Sequence, residues 1–164
     1  MKLSLQGVTV LFAAGDNDVG VEYACGGPNL NAFTPMWLAT CPWVTTVGGT
    51  QIPYYNTDIT HRTLTTEVGW FDTVTFGGGG GFSNYYKMPA YQKKAVEEYL
   101  NIANLSFASY SQFANASGFT DLGAGTDGLF NRAGRAYPDV SGLSQSIAVS
   151  PRRPHFKYLR RPST

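Results

Sequence analysis

The stretch Gly7-Val-Thr-Val-Leu-Phe-Ala-Ala-Gly-Asp-Asn-Asp-Val-Gly20 is an apolar, β-branched run that stops abruptly at Gly15-Asp16 and closes in a polar, glycine-ended turn. A short run of this make-up suits a strand covered on both faces, as in a parallel sheet, and in such folds ligands gather at the carboxyl ends of the strands. This puts Asp16 at a strand tip, where its carboxylate can meet a ligand. The same side chain also suits a turn or a helix N-cap, because a carboxylate bonds readily to nearby backbone N–H groups. Local sequence leaves both readings open.

Further along, Phe33-Thr-Pro-Met-Trp-Leu-Ala-Thr-Cys-Pro42 reads as a compact apolar turn region, and Trp43-Val-Thr-Thr-Val-Gly-Gly-Thr50 as a second strand capped by glycines. Residues 63–68 have strand character. Residues 88–104 form the clearest helix: Pro89 suits the first turn, and Tyr91, Ala95 and Tyr99 with Val96 and Leu100 give an apolar stripe at helical spacing. That stripe is predicted to be core, with Lys93, Lys94, Glu97 and Glu98 on the solvent face. Residues 106–132 are loop-like, and Arg135-Ala-Tyr-Pro-Asp-Val-Ser141 combines a turn with a short strand. The five successive glycines at 77–81 cannot fill a core. They form either a flexible linker or a backbone that lies close to something, such as an extended peptide pairing with this edge. No Gly-Lys-Ser/Thr follows them, which removes a phosphate loop.

Composition enters where it excludes. A chain of 164 residues, 43% hydrophobic and 14% charged, can bury the core of one ordinary domain and is neither a helical bundle nor a disordered acidic protein. No apolar run reaches membrane-span length, so no membrane partner is expected. The net charge of +1 conceals an asymmetry: residues 1–150 hold seven basic against eleven acidic side chains, whereas residues 151–164 hold five basic and no acidic ones. The tail reads as a solvated end and not as a nucleic-acid binder. Cys25 and Cys41 lie in neighbouring loops at a spacing compatible with a disulfide, and neither has the His or Cys company of a zinc site, so no metal site is assigned. Asn104-Leu-Ser106 and Asn115-Ala-Ser117 are glycosylation sequons. Disulfide and sequons together favour a secretory protein. Met1-Lys2 and the apolar residues from Val8 imitate a signal peptide, but that core is short and Gln6 interrupts its approach, so none is assigned.

Four separated segments resemble one family in both order and spacing. These are Ala13-Ala-Gly-Asp-Asn-Asp-Val-Gly20; Phe33-Thr-Pro-Met-Trp-Leu-Ala39 with Cys41-Pro-Trp-Val-Thr-Thr-Val-Gly-Gly-Thr50; Glu67-Val-Gly-Trp70 with Gly78-Gly-Gly-Gly-Phe-Ser-Asn-Tyr-Tyr86; and Arg135-Ala-Tyr-Pro-Asp-Val-Ser141. They look like the sedolisins, or serine-carboxyl peptidases, in particular their secreted fungal tripeptidyl-peptidase-like branch. The resemblance implies an α/β, subtilisin-like fold with a parallel sheet core, here incomplete at both ends. It would occupy residues 1–145, with residues 146–164 a divergent, disordered basic tail. It also implies cleavage of peptides or unfolded proteins at acidic pH by a Ser nucleophile, a Glu base, an Asp that orients the Glu, and a further Asp in the oxyanion hole. Asp16 matches that last residue, and Gly78, Gly79, Gly80 and Gly81 would line the substrate cleft. No oligomer is predicted.

The departures bear on what the chain can do. The family's Glu and Asp lie one helical turn apart, yet no Glu here is followed four residues later by Asp. The family's nucleophile sits in Gly-Thr-Ser; Gly49-Thr50 is followed by Gln51. The calcium that the resemblance implies would be bound beyond this chain, leaving no cofactor within it. Asp18 stands where the family often has Gly. The chain is therefore expected to be inactive alone. The alternative is a catalytically dead module that holds peptides at the glycine-rich edge. A Ser-His-Asp hydrolase is excluded, because His61 and His155 lie in polar and basic stretches without a Gly-x-Ser-x-Gly elbow.

Overall fold

The computed structural model describes residues 1–20, 26, 32–52, 66–72, 76–111, 113, 130–144, 148–149 and 157–158. In chain order its elements are α1 (Lys2–Leu5), β1 (Leu11–Ala13), a 3-10 turn (Leu38–Thr40), β2 (Thr45–Gln51), β3 (Val68–Gly69), β4 (Phe71–Asp72), β5 (Phe76–Gly77) and β6 (Gly81–Lys87). A second 3-10 turn (Ala90–Gln92) leads into α2 (Lys93–Ile102), followed by β7 (Ser109–Tyr110), β8 (Phe130–Asn131), β9 (Gly134–Tyr137), β10 (Val140–Leu143), β11 (Ala148–Val149) and β12 (Lys157–Tyr158).

The mixed helices and strands and the parallel pairing agree with the α/β expectation. β2 is the centre of the main sheet: β1 pairs with its first half in parallel register, Leu11 to Thr45 through Ala13 to Val47, and β10 pairs with its second half in parallel, Val140 to Val47 through Leu143 to Thr50. β3 closes antiparallel on the end of β2. Gly48 and Gly49 lie inside β2 instead of capping it. Their place is explained by crowding: a Cβ on Gly48 would come 2.8 Å from both Pro138 and the Ser141 hydroxyl, so glycine lets the turn before β10 approach the strand closely.

β6 pairs antiparallel with β9, with a register shift between Phe82 and Lys87. Within that irregular stretch the buried Ser83 hydroxyl accepts the N–H groups of Tyr85 (3.1 Å) and Tyr86 (2.9 Å), taking both amides out of the ladder. Opposite it, a Cβ on Gly134 would collide with the Ser83 carbonyl oxygen, so the two strands touch through bare backbone. β7 and β8 form a short parallel pair in the region read as loop. β11 and β12 pair antiparallel inside the segment expected to be a disordered tail; the other residues of 151–164 lie outside the described residues.

Two burial expectations are corrected. β1 is not covered on both faces: Leu11 is 67% exposed and Phe12 half-buried, because among the described residues this strand is an edge that pairs with β2 alone. The stripe on the predicted helix is not core either. Only Val96 of it is buried, while Tyr91 and Tyr99 are exposed. The small core cluster is Ala14, Ala39 and Tyr137, with Phe12 and Met36 packed against it. Tyr137 is held there by the Met36 N–H, which donates to its hydroxyl oxygen at 3.0 Å.

Candidate active-site cleft

The loop that follows β1 is shaped by backbone conformation. Gly15 has φ +97° and Asp18 φ +49°, both in the left-handed region, and the Gly20 N–H closes a turn on the Asn17 carbonyl at 3.0 Å. The positive φ of Asp18 gives a reason why glycine would also suit that position: only small polar residues and glycine tolerate it well.

The glycine run docks onto this loop. The N–H groups of Gly77, Gly79 and Gly80 donate to the carbonyls of Asp16 (3.4 Å), Gly15 (2.6 Å) and Asp18 (3.0 Å), while that of Gly78 donates to the Trp70 carbonyl at 2.8 Å. Gly77 and Gly79 are buried. A Cβ on Gly79 would overlap the Ala14 carbonyl, and one on Gly77 would overlap the Asp18 carboxylate. The run is thus neither a flexible linker nor an open edge. What its backbone lies close to is the chain's own loop, and four successive amides are already used, which leaves them unable to pair with an added strand.

Gly78, Gly79, Gly80 and Gly81 line one wall of a cleft of about 770 Å³. Across it stand Tyr91, Ala95 and Tyr99 of the second 3-10 turn and α2, with Trp70 and Phe107 nearby. The helical stripe read as core therefore faces this cleft. Asp16 is exposed and is not part of the lining; its backbone carbonyl accepts the N–H of Gly77, the residue that precedes this wall.

Behind Tyr91, Gln92 and Asp139, which line the cleft, lies a charged cluster that the sequence alone did not reveal. Arg135, fully buried, pairs with Asp139 and donates to the carbonyls of Ala136 (2.6 Å) and Val44 (3.1 Å). The Asp139 carboxylate also accepts the Thr46 N–H (2.7 Å), the Gln92 amide (2.9 Å) and the Tyr91 hydroxyl (3.2 Å). One carboxylate thereby ties together β2, β9, the start of β10 and the 3-10 turn before α2. Burial raises the Tyr91 hydroxyl's pKa above its ordinary value; the negative Asp139 adds to this and Arg135 opposes it. The available signal was a charged pair four residues apart flanking Ala-Tyr-Pro, a place where an isolated strand has no use for an ion pair.

No family model matches the chain. It is 38% identical over 157 residues to tripeptidyl-peptidase sed1 of Aspergillus fumigatus, covering 91% of this chain and 22% of that protein. To aorsin of Aspergillus oryzae it is 37% identical over 156 residues, with the same coverages. To tripeptidyl-peptidase 1 of Homo sapiens it is 36% identical over 152 residues, 91% of this chain and 21% of that one. The chain is homologous to the tripeptidyl-peptidases of the sedolisin family. It spans about a fifth of the length of these relatives.

In this sedolisin homologue Cys41 is half-buried and carries no disulfide among the described residues; Cys25 lies outside them. Asn104 is exposed, and Asn115, His61 and His155 lie outside the described residues. Among the described residues no three His, Cys, Asp or Glu side chains gather as metal ligands. No helix among them is long and apolar enough to cross a membrane.

Proposed function

We propose that this chain is the part of a secreted, acid-acting sedolisin-type serine peptidase that supplies the oxyanion-hole acid, Asp16, and one wall of the peptide cleft within a subtilisin-like fold. The observation that carries this is the docking of the Asp16 loop, at the carboxyl end of β1, onto the glycine run that lines the cleft. A protonated carboxyl group can donate a hydrogen bond to the oxyanion that develops on a peptide carbonyl, whereas a carboxylate would repel it, so the chemistry calls for acidic solution. A single such donor is worth about 3 to 4 kcal/mol of barrier. The 164 residues hold neither the Glu and Asp pair nor the Gly-Thr-Ser nucleophile motif. Groups that act as a unit leave little catalysis when most are missing, so this chain alone does not hydrolyse peptides.

The test is a graft of this chain into the matched segment of tripeptidyl-peptidase sed1. The hybrid is expected to release tripeptides at acidic pH, and Asp16→Ala to lower kcat by about 10²- to 10³-fold. Asp16→Asn, whose amide donates at any pH, is expected to keep more activity than Asp16→Ala toward neutral pH. An active hybrid indifferent to Asp16→Ala overturns the assignment of Asp16, and peptide cleavage by the ungrafted chain overturns its inactivity alone.

A further inference from the structure

The cleft wall formed by α2 ends in an exposed helix exit at Asn104. α2 stops at Ile102, its last turn closed by the Ala103 N–H donating to the Tyr99 carbonyl at 2.8 Å, and Asn104 follows with φ +42°. Asparagine in the left-handed conformation is a normal way to leave a helix. The residues that follow complete an acceptor sequence: Leu105 is not proline, and Ser106 brings its hydroxyl to the required place. Asn104 and Ser106 are both exposed, so the acceptor stands clear of the core. Leu105, Phe107 and Tyr99, on either side of it, line the cleft. Around it the surface is unusually apolar for a solvated helix end: Ile102 is 75%, Tyr99 51% and Phe107 49% exposed.

We propose that Asn104 carries an N-linked oligosaccharide, set on the lip of the cleft and covering this apolar surface. In the transfer, the Asn104 side-chain amide nitrogen bonds to the anomeric carbon of an oligosaccharide linked to a lipid diphosphate. The bond from that carbon to the diphosphate oxygen breaks, its electron pair leaves on the lipid diphosphate, and one amide proton passes to a base of the transferase. The inference rests on the secretory reading above. It is tested separately from it by placing the full chain behind a cleavable secretion signal in a yeast host, so that entry to the secretory pathway is supplied.

The secreted protein is trimmed with an endoglycosidase that leaves one N-acetylhexosamine at each occupied site and mapped by peptide mass. The expected result is that residue on the peptide containing Asn104, lost in both Asn104→Gly and Ser106→Ala. Glycine suits a φ of +42° better than any other residue, so Asn104→Gly removes the acceptor without straining the turn. Ser106→Ala removes the sequon and keeps the asparagine. A secreted protein whose Asn104 peptide is bare, whether or not Asn115 is modified, overturns the proposal. An inactive sed1 hybrid would leave it standing.

Discussion

Gly77 and Gly79 are neighbours in one run, yet what each meets is different in kind. At Gly79 an added methyl would strike the backbone carbonyls of Ala14 and Gly15, which cannot withdraw without tearing the loop from β1. At Gly77 it would strike the Asp18 carboxylate, a side chain that can rotate away or be removed. Gly79→Ala is therefore expected to cost about 3 kcal/mol, the upper range for forced overpacking, read as a lowered urea midpoint. Gly77→Ala should cost less, and Asp18→Gly should recover most of that loss while relaxing the left-handed residue. Gly69→Ala, with nothing within 4 Å of the new methyl, is the control and should stay within about 0.5 kcal/mol of the parent. Equal losses at all three glycines would mean that the docking contact does not form. The sequence left two uses for five glycines at 77–81, a flexible linker or a backbone that comes close to something, and the hydrogen bonds to the Asp16 loop decide for the second. The sequence could not reveal the partner, since a carbonyl 64 residues earlier leaves no mark in composition.

Between elements, tyrosine hydroxyls and one carboxylate do the joining. The presence of a strand was legible where β-branched residues clustered, as at Thr45 and Val47, but the Asp139 cluster was not, because its partners Thr46, Gln92 and Arg135 come from separate segments. Asp139→Asn would leave the buried guanidinium of Arg135 uncompensated and is expected to lower stability by about 3 to 5 kcal/mol in denaturant unfolding. Gln92→Ala, which removes a buried amide bonded both ways to Ala136, should cost about 1 to 3 kcal/mol. Tyr91→Phe should cost under about 1 kcal/mol, since that ring is mostly exposed. The tyrosines also set the alkaline limit. Burial, the first cause in each case, raises the pKa of Tyr91, Tyr110 and Tyr137 above 10 in the folded chain. Above pH 10 the unfolded chain has released these protons and the folded chain still holds them. Stability from this source is therefore full below pH 10 and lost as pH rises past it. Chemical denaturation at pH 9 and pH 11 checks the sign: an unchanged midpoint contradicts it.

Across the whole molecule the balance of covered and uncovered apolar surface is unusual. Among the described residues, the buried apolar side chains are three alanines, Val96, Tyr110, Phe130 and Tyr137, whereas Leu5, Leu11, Trp37, Trp43, Ile102 and Val140 are each at least half exposed. The parallel sheet was legible from its β-branched runs, but periodicity predicts burial only where a second layer exists to receive the apolar face. For Leu11 and Tyr91 none does among the described residues, which is why the two readings of burial fail together. Hydrophobic stabilisation scales with area removed from water, at about 25 cal/mol per Å², so a chain that leaves large side chains exposed gives up about 1.5 to 3 kcal/mol for each. Such a surface, next to β1, an edge strand among the described residues, also favours association. Purified alone at neutral pH, the chain is expected to bind an apolar dye strongly, to unfold over a broad temperature range, and to sediment as more than monomer at micromolar concentration. Monomeric sedimentation with a sharp, cooperative thermal transition would show that these faces are not the liability that their exposure implies.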